Sequence, residues 1–421
     1  MQYVFDEQLG VPYKIINDEQ EFLKDSSATK IVYSKNNIGN CLHFFSADLL
    51  FEKDIKELTI TVDKINDTIV LFRHDKKDAL GFDVFAAVFY LLSRYEEYLN
   101  KPTDKFGNFD FGNSILYQQH CLHTPIVEQW INMLKEVLMK NFPLLQFKKT
   151  QPQFALSFDI DVAYEYNNRS VARTVGGIAK KILQLNFSAL KSQLLTLAHL
   201  KTDAFDTYNY IFSKIKTNKA IFFFNMGKYG RYDKNPSYKN KKFKQLILKI
   251  AEKNNVGLHP SYASNSNYNL IAIEKKQLEE IIKIKITSSR QHYLKLKLPE
   301  TYEQLIQNQI EQDYTLGYHD IYGFRAGTCN SFLFFNLEKN ETTNLRLLPF
   351  AIMEGTLDDV MKLDVNASKK IISDLIGEVC RSNGLFIPLW HNSTLNTKNR
   401  WEIFEYMLTE IERRKMKNLF D

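Results

Sequence analysis

The stretch FALSFDIDV, residues 154–162, decides how the second part of this chain folds. Side chains of a strand alternate between the two faces of a sheet, so the five apolar residues at even positions share one face. Ser157, Asp159 and Asp161 share the other face. The two carboxylates are then about 6–7 Å apart along the strand, where like charges repel unless a cation or an arginine neutralises them. The stretch therefore predicts a buried strand that ends in a functional pair of acids, with two solvated acids or a helix cap as the alternative.

Six further apolar runs follow the first, and helix-like stretches separate most of them. They are AIFFFNMG (220–227), NVGLHPS (255–261), IKIKITSSRQH (282–292), IYGFRAGT (321–328), RLLPFAIMEGT (346–356) and LFIPLWHNS (385–393). Strands that alternate with helices predict βα units and a parallel sheet. Seven such units over residues 149–421 suit a β/α barrel. An open doubly wound sheet is the alternative, against which stands the lack of a Gly-rich phosphate-binding motif after any run.

The first 148 residues have a different rhythm. KIVYS and TIVLFRH predict short strands, and two longer apolar stretches predict helices. A polar break with a proline follows at 144–153, so we place the boundary near 148. Residues 1–148 are then a smaller α/β domain of unknown role, and 149–421 hold the barrel. The stretch 171–211 interrupts the strands and predicts a helical insertion over the barrel mouth, with a membrane-surface helix as the alternative.

Composition excludes several classes of protein. The 421 residues are 44% hydrophobic and 25% charged, which argues against a disordered chain, a collagen-like repeat or a coiled coil. A net charge of +6 over this length is too diffuse to predict nucleic-acid binding. Four widely spaced cysteines indicate free thiols in a reducing compartment. With neither a signal-peptide pattern nor a run of 18 apolar residues, we expect a cytoplasmic protein without a transmembrane segment.

Unusual polar residues fall at the ends of six of the seven predicted strands. They are Asp159 and Asp161, His259, Arg290 and His292, Arg325, Glu354, and His391. In a β/α barrel the chemistry lies at the carboxyl ends of the strands. The pattern therefore predicts one site at that edge, although a single buried histidine or a structural ion pair would explain any one of these residues by itself.

Five short motifs among these runs resemble the signature motifs of the polysaccharide deacetylases, carbohydrate esterase family 4, in their order. They are SFDID (157–161), GLHPS (257–261), GFRAGT (323–328), IMEGT (352–356) and PLWHN (388–392). The chain looks most like a divergent branch with an extra N-terminal domain. The resemblance implies a distorted (β/α)7 barrel and a hydrolase of carbon–nitrogen bonds other than peptide bonds. It also implies a divalent metal, often zinc, and removal of N-acetyl or O-acetyl groups from a surface polysaccharide or sugar precursor.

The resemblance further implies roles for individual residues. Asp159 matches the catalytic base, and Arg325 matches the arginine that orients it. Glu354 matches an acidic partner, and His391 matches the general acid that protonates the leaving amine. Asp161 is the expected metal carboxylate, although its role and that of Asp159 are interchangeable because the family's two acids are adjacent and here one residue separates them.

The expected metal site departs from the family pattern at one ligand. His259 matches the first metal histidine, but the second lies four residues further on in the family, where this chain has Ala263. His292, at the end of the neighbouring predicted strand, is the expected replacement. Without it, the site would bind metal poorly or not at all.

Two other functions compete with a deacetylase that acts on a carbohydrate. Ala263 favours a non-catalytic carbohydrate-binding protein on a degraded barrel. The acids also allow a metal-free glycoside hydrolase, in which Asp159 or Asp161 would work with Glu354. The oligomeric state is not predicted.

Overall fold

Sixteen strands and twelve α-helices make up the described part of the chain, which is residues 1–99, 101–216 and 218–421 of a computed structural model. The strands are β1 (Ile31–Ser34), β2 (Leu42–Phe45), β3 (Val62–Ile65), β4 (Thr68–Leu71), β5 (Gln153–Phe154), β6 (Leu156–Ile160), β7 (Ala220–Asn225), β8 (Asn255–His259), β9 (Ser288–Ser289), β10 (Gln312–Asp313), β11 (Phe332–Asn336), β12 (Glu341–Leu347), β13 (Ile352–Met353), β14 (Leu385–Phe386), β15 (Pro388–His391) and β16 (Lys417–Asn418). The helices are α1 (Glu19–Lys24), α2 (Val84–Leu92), α3 (Ile115–Gln118), α4 (Ile126–Asn141), α5 (Val171–Leu183), α6 (Phe187–Leu197), α7 (Tyr208–Ile215), α8 (Lys241–Ala251), α9 (Asn269–Ile282), α10 (Glu300–Gln307), α11 (Val365–Arg381) and α12 (Lys398–Arg413).

Nine of the strands form one sheet, in the order β11-β12-β10-β9-β8-β7-β6-β15-β13. Every neighbouring pair in it is parallel except β11 with β12. The central strands β6 and β7 are buried along their whole length. Strands that are covered on both faces need unbroken apolar sequence, which explains runs such as AIFFF. The predicted α/β class, with a mainly parallel sheet, is confirmed.

The fifth predicted strand, at 321–328, is wrong because those residues form a loop. Gly323 has φ +128° and Gly327 has φ +64°, and neither conformation belongs to a strand. The amide of Gly323 donates to the backbone oxygen of Ala351, and the next amide donates to that of Leu122. The strand that follows β9 in the sheet is instead the two-residue β10. The predicted run 346–356 likewise spans the end of β12 and all of β13.

The segment between β12 and β13 joins two distant parts of the sheet. The amide of Leu348 donates to the backbone oxygen of Asp313 in β10 at 2.8 Å. Three residues later, the amide of Ala351 donates to the backbone oxygen of Ile387, just before β15, at 2.9 Å. One short segment therefore forms hydrogen bonds near two opposite ends of the strand order, at β10 and just before β15.

Residues 1–148 pack directly against the nine-stranded sheet. They contain the parallel pair β1–β2, the antiparallel pair β3–β4 and the helices α2 and α4. Eight of the nine residues of α2 are buried, as expected of a helix that is apolar on every side. The buried side chains of α2 and α4 belong to the same hydrophobic core as those of β6, β7 and β15.

Three helices, α5, α6 and α7, follow β6 and precede β7. None of the residues of α5 is buried. Among the described residues, no helix combines the length and the apolar content needed to cross a bilayer.

Candidate metal and catalytic site

The carboxyl ends of four parallel strands bring most of the predicted site residues together. Asp159 lies near the end of β6, and Asp161 follows that strand directly. His259 is the last residue of β8, His292 follows β9 by three residues, and His391 is the last residue of β15. These strands run parallel within the consecutive series β9-β8-β7-β6-β15, so their ends meet at one edge of the sheet.

Asp161, His259 and His292 form a group that could hold a metal ion. Each offers one ligand atom, and the three atoms lie within 4.8 Å of one another. Asp161 Oδ1 lies 3.0 Å from His259 Nε2, and Asp161 Oδ2 lies 3.6 Å from His292 Nε2. Both histidines are buried, whereas Asp161 is partly exposed. Two imidazoles and one carboxylate, with one side left open, match the ligand set of catalytic zinc sites.

His259 directs its Nε2 towards Asp161. Its Nδ1 lies 2.5 Å from the backbone oxygen of Arg290, and since a carbonyl only accepts, Nδ1 must donate. A neutral imidazole that donates at Nδ1 accepts at Nε2. The facing oxygen, Asp161 Oδ1, is buried and has no hydrogen-bond partner among the described residues. In that tautomer Nε2 and Oδ1 both present electron pairs across 3.0 Å, an arrangement that fits a shared cation.

Asp233 orients His292. His292 Nδ1 donates to Asp233 Oδ1 at 2.8 Å, which leaves Nε2 directed towards Asp161. Asp233 in turn accepts from the side-chain amide of Asn225 at 3.0 Å and from the backbone N–H of Ala263 at 3.3 Å. A histidine held by a carboxylate is the usual arrangement behind a metal ligand. Position 263 therefore contributes a backbone N–H that holds the partner of His292, and not a ligand side chain.

The charges of this group reinforce one another. Burial lowers the pKa of His292, but the carboxylates of Asp161 and Asp233 outweigh burial and raise that pKa to about 9. Burial raises the pKa of Asp161, but the imidazoles of His292 and His391 outweigh it and hold that pKa well below its usual range. Asp161 therefore stays ionised at neutral pH, as a metal ligand must.

Asp159 is buried and is held by Arg290. Arg290 Nη1 donates to Asp159 Oδ1 at 2.9 Å, and its Nη2 donates to Ser157 Oγ at 2.9 Å. The other oxygen, Asp159 Oδ2, lies 3.8 Å from His259 Nε2 and so faces the metal-ligand group. Arg290 thus pairs with one oxygen of the Asp159 carboxylate, while the other oxygen can accept a proton from a molecule bound at the site.

His391 also lies beside Asp161 and is oriented by Glu354. Its Nδ1 donates to Glu354 Oε1 at 2.7 Å, and its Nε2 lies 3.6 Å from Asp161 Oδ2. The same Glu354 oxygen accepts from Thr394 Oγ1 at 2.7 Å. Burial lowers the pKa of His391, but Glu354 and Asp161 outweigh it and raise that pKa to about 10. The imidazole is therefore protonated at neutral pH and presents an Nε2–H to the site.

Arg325 pairs with Glu97 of the N-terminal region, so the structure does not support the expected contact with Asp159. Its Nε and Nη2 donate to the two oxygens of Glu97 at 2.9 and 2.6 Å. Arg94 Nε donates to the same carboxylate at 2.8 Å. All three side chains are buried. The guanidinium of Arg325 is thus occupied by an ion pair that ties the loop 321–328 to residues 1–148, and Arg290 lies beside Asp159 in its place.

Three half-buried tyrosines that sequence reasoning did not single out lie next to His292. The ring centroids of Tyr232, Tyr262 and Tyr293 are 4.3 to 5.5 Å apart, and the ring of Tyr293 is 4.6 Å from the imidazole. Phe106 of the N-terminal region packs against Tyr293 at 5.1 Å. Within the described residues, none of the three hydroxyls bonds to another protein group. This tyrosine cluster offers both apolar faces and polar tips to a ligand.

Comparisons with known proteins match different parts of the chain. Residues 1–143 match a family of unknown function (DUF7033). A search of curated proteins finds no match.

Several solved structures are similar to this chain. One is a polysaccharide deacetylase from Bacillus cereus, with 14% identity over 63% of this chain and 90% of that one, at a TM-score of 0.31. Another is an allantoinase, with 9% identity over 64% and 87% of the two chains and a TM-score of 0.41. A third is a mutant of a pseudoenzyme of carbohydrate esterase family 4, with 12% identity over 64% and 66% and a TM-score of 0.31. Identities and scores this low leave the activity to be judged from the side chains of the site.

Proposed function

We propose that this chain is a metal-dependent hydrolase that removes acetyl groups from a saccharide. The first candidate substrate carries N-acetyl groups, and the second candidate carries O-acetyl groups. Asp161, His259 and His292 would hold one divalent metal, and this set of two nitrogens and one oxygen suits zinc. A distorted barrel, closed through residues 348–353, would surround it. The observation that carries the proposal is the buried Oδ1 of Asp161, which has no hydrogen-bond partner among the described residues and lies 3.0 Å from His259 Nε2, while Nδ1 of that imidazole donates to a backbone oxygen.

The two sides of the metal-ligand group suit the two proton transfers of amide hydrolysis. Bound at the three ligands, a metal would supply a Lewis acid that lowers the pKa of a water towards neutrality. Asp159 takes the proton of the attacking water at Oδ2, while Arg290 keeps Oδ1 paired. The water oxygen bonds to the acetyl carbon, and the bond from that carbon to the sugar nitrogen breaks.

His391 acts on the leaving group. Its Nε2 gives its proton to the sugar nitrogen, so that acetate and a free amine result. Glu354 holds the ring through Nδ1 and stabilises its positive charge before the transfer. With an acetyl ester, the leaving oxygen takes the same proton. The sugar ring would lie against the tyrosine cluster beside His292.

The two competing functions fit these contacts less well. A glycoside hydrolase needs one protonated carboxyl and one ionised carboxylate. Asp159 is paired with Arg290, and Glu354 accepts hydrogen bonds from His391 and Thr394, so each of these acids already has partners within the protein. A non-catalytic binding protein has no need of imidazoles oriented through Nδ1. Ala263, which favoured that alternative, has a role as a backbone donor.

Metal content is the direct test of the ligand set. The purified chain is loaded with zinc, dialysed and measured by mass spectrometry. We expect one equivalent for the unmodified chain and close to none for Asp161→Ala or His292→Ala. His199→Ala, which removes an exposed imidazole outside the site, is the matched control and should keep the metal. Full zinc content in both ligand variants would contradict the assignment.

Acetate release is the test of the activity. The substrates are an N-acetylglucosamine oligomer and an O-acetylated xylan oligomer. Loss of a general acid or base typically costs on the order of 10²–10⁴-fold, so Asp159→Asn and His391→Ala should lose at least about 100-fold and keep their zinc. Unchanged rates in both variants would contradict the roles. Sugar binding by the zinc-loaded chain without acetate release would favour the binding protein.

A further inference from the structure

Helices α5 and α6 form a hairpin whose apolar side chains point into solvent. Val171 is 79% exposed, Leu183 84%, Leu185 72% and Phe187 63%. Val171, Val175 and Ile182 follow one another at spacings of four and seven residues and so share one exposed face of α5. Since α5 buries no residue, this apolar face has no partner within the described part of the chain.

The polar side of α5 faces the protein instead. Arg173 donates through Nη2 to the backbone oxygen of Lys234 at 2.8 Å and through Nη1 to that of Asn235 at 3.3 Å. Lys181 Nζ donates to the buried side chain of Gln193 in α6 at 2.5 Å. A surface helix of a globular protein normally has the opposite arrangement, with its apolar stripe on the core. The orientation of α5 therefore indicates that its apolar face contacts apolar material outside the protein.

The positive charge of the chain is concentrated in the same place. Residues 166–202 contain no acid and six basic residues, namely Arg169, Arg173, Lys180, Lys181, Lys191 and Lys201. The remaining residues contain 49 basic and 49 acidic side chains, because the whole chain has 55 and 49. The net charge of +6, which composition alone suggested was diffuse, therefore equals the charge of this one segment.

We propose that the α5–α6 hairpin docks the protein on an anionic lipid bilayer. The exposed leucines, valines and phenylalanine would enter the headgroup boundary, and the exposed Lys180 and Lys191 would bind the anionic headgroups. A second copy of this chain is a poorer partner, because two hairpins of charge +6 with no acid between them repel.

The hairpin emerges at the edge of the sheet that carries the candidate site. Its first helix begins ten residues after Asp161, and its return is fixed by Asp203, whose carboxylate accepts the backbone N–H groups of Tyr166 and Asn167 at 2.9 Å. Docking would therefore present the carboxyl edge of the sheet to the membrane. The substrate reached there would be a saccharide held at a bilayer surface. This consequence for the substrate rests on the proposed function, whereas the docking does not.

Vesicle co-sedimentation of the full chain tests the docking. One set of vesicles is pure phosphatidylcholine. The other contains phosphatidylcholine with about 30 mol% phosphatidylglycerol, which gives the surface a roughly physiological negative charge density. We expect binding only to the anionic vesicles and weaker binding at high salt. Leu183→Ser with Phe187→Ser should weaken binding at least about tenfold. Lys180→Gln with Lys191→Gln should weaken it roughly 25-fold, at about fivefold for each charge.

The controls separate docking from folding and from catalysis. Leu144→Ser removes a side chain that is 91% exposed outside the hairpin, and its binding should not change. The hairpin variants should keep the melting temperature and the acetate release from a soluble oligomer, so a failure of docking is distinct from a failure of the proposed function. Absent binding to anionic vesicles, or binding unchanged in both hairpin variants, would overturn the proposal. The proposal would also be overturned if the chain formed a dimer in solution and Leu183→Ser with Phe187→Ser dissociated that dimer.

Discussion

Replacement of Glu128 by Gln tests how residues 1–148 hold the loop that carries GFRAGT. Glu128 lies in α4 and is buried. Its Oε1 accepts hydrogen bonds from Thr328 Oγ1 and, at 3.0 Å, from Asn330 Nδ2. Its Oε2 is buried without a partner among the described residues. Burial outweighs these hydrogen bonds and raises the pKa of Glu128 to about 7.

The size of the effect follows from this pKa. The ordinary value is 4.5, so folding raises the pKa by about 2.5 units, which corresponds to about 3 kcal/mol. Because the folded-state pKa is the higher one, this contribution to stability is fully present below about pH 4.5 and is lost as the pH rises through about 7. Gln keeps the acceptor oxygen and is neutral at every pH. Glu128→Gln should therefore match the unmodified chain near pH 4.5 and exceed it by up to about 3 kcal/mol at pH 8.5.

Melting temperatures measured between pH 4.5 and 8.5 check this expectation. An unfolding entropy of roughly 2.1 cal/mol/K per residue makes 3 kcal/mol equal to about 3 °C for a chain of this length. Glu341→Gln, at an exposed position of β12, is the control and should show no pH-dependent gain. A gain from Glu128→Gln that is equal at both pH extremes, or a loss at pH 8.5, would refute the reasoning.

Three further predictions concern the site and its support. Asp233→Asn should weaken zinc affinity by about 10–100-fold in competition with a chromogenic chelator, because it removes the carboxylate that orients His292, and unchanged affinity would contradict that role. Arg325→Met should lower the free energy of unfolding in urea by roughly 3–5 kcal/mol, because it breaks a buried ion pair. The double variant with Glu97→Gln should lose less, so equal losses in the single and the double variant would count against the pairing. Tyr293→Ala should weaken calorimetric binding of an N-acetylglucosamine oligomer roughly tenfold at unchanged zinc affinity, and binding that survives would place the sugar elsewhere.

The strand ends could be predicted because a buried parallel strand leaves a strong local pattern. Alternation along FALSFDIDV separates Asp159 and Asp161 from the apolar face, and the run LFIPLW carries His391 to its end. Both features depend only on neighbours in sequence. The parallel order of β15, β6, β7, β8 and β9 then brings the ends together.

The arginine that contacts Asp159 could not be predicted in the same way. Both Arg290 and Arg325 follow short apolar runs, and the motif GFRAGT favoured the second. The structure separates them through partners that lie far away in the chain. Glu97 binds Arg325 from 228 residues away, and Asp159 binds Arg290 from 131 residues away. A short apolar run does not distinguish a strand from a packed loop, so local pattern assigned a strand to residues 321–328.

Asp233 shows a second limit of reasoning from sequence. It lies in the segment YGRYDKNPSY, which has neither helical nor strand periodicity, and nothing in that segment points to a metal site. Its role depends on the distance of 2.8 Å to His292 and on the backbone N–H of Ala263. Position 263, where the sequence motif led us to expect a ligand histidine, is thus linked to this carboxylate. Ala263 offers no ligand side chain, while the backbone there helps to orient His292.

Residues 1–148 also take part in building the site from one side. Asn108 donates to the backbone oxygen of Tyr293 at 3.4 Å and accepts from the backbone N–H of Leu296 at 3.1 Å, so it holds the chain immediately after His292. Tyr293 has φ +59°, a conformation that costs energy for a residue with a side chain and that needs such support. Phe106 covers the ring of the same tyrosine. The position of the tyrosine cluster therefore depends on the N-terminal region, which makes that region part of the proposed binding surface and more than an appended domain.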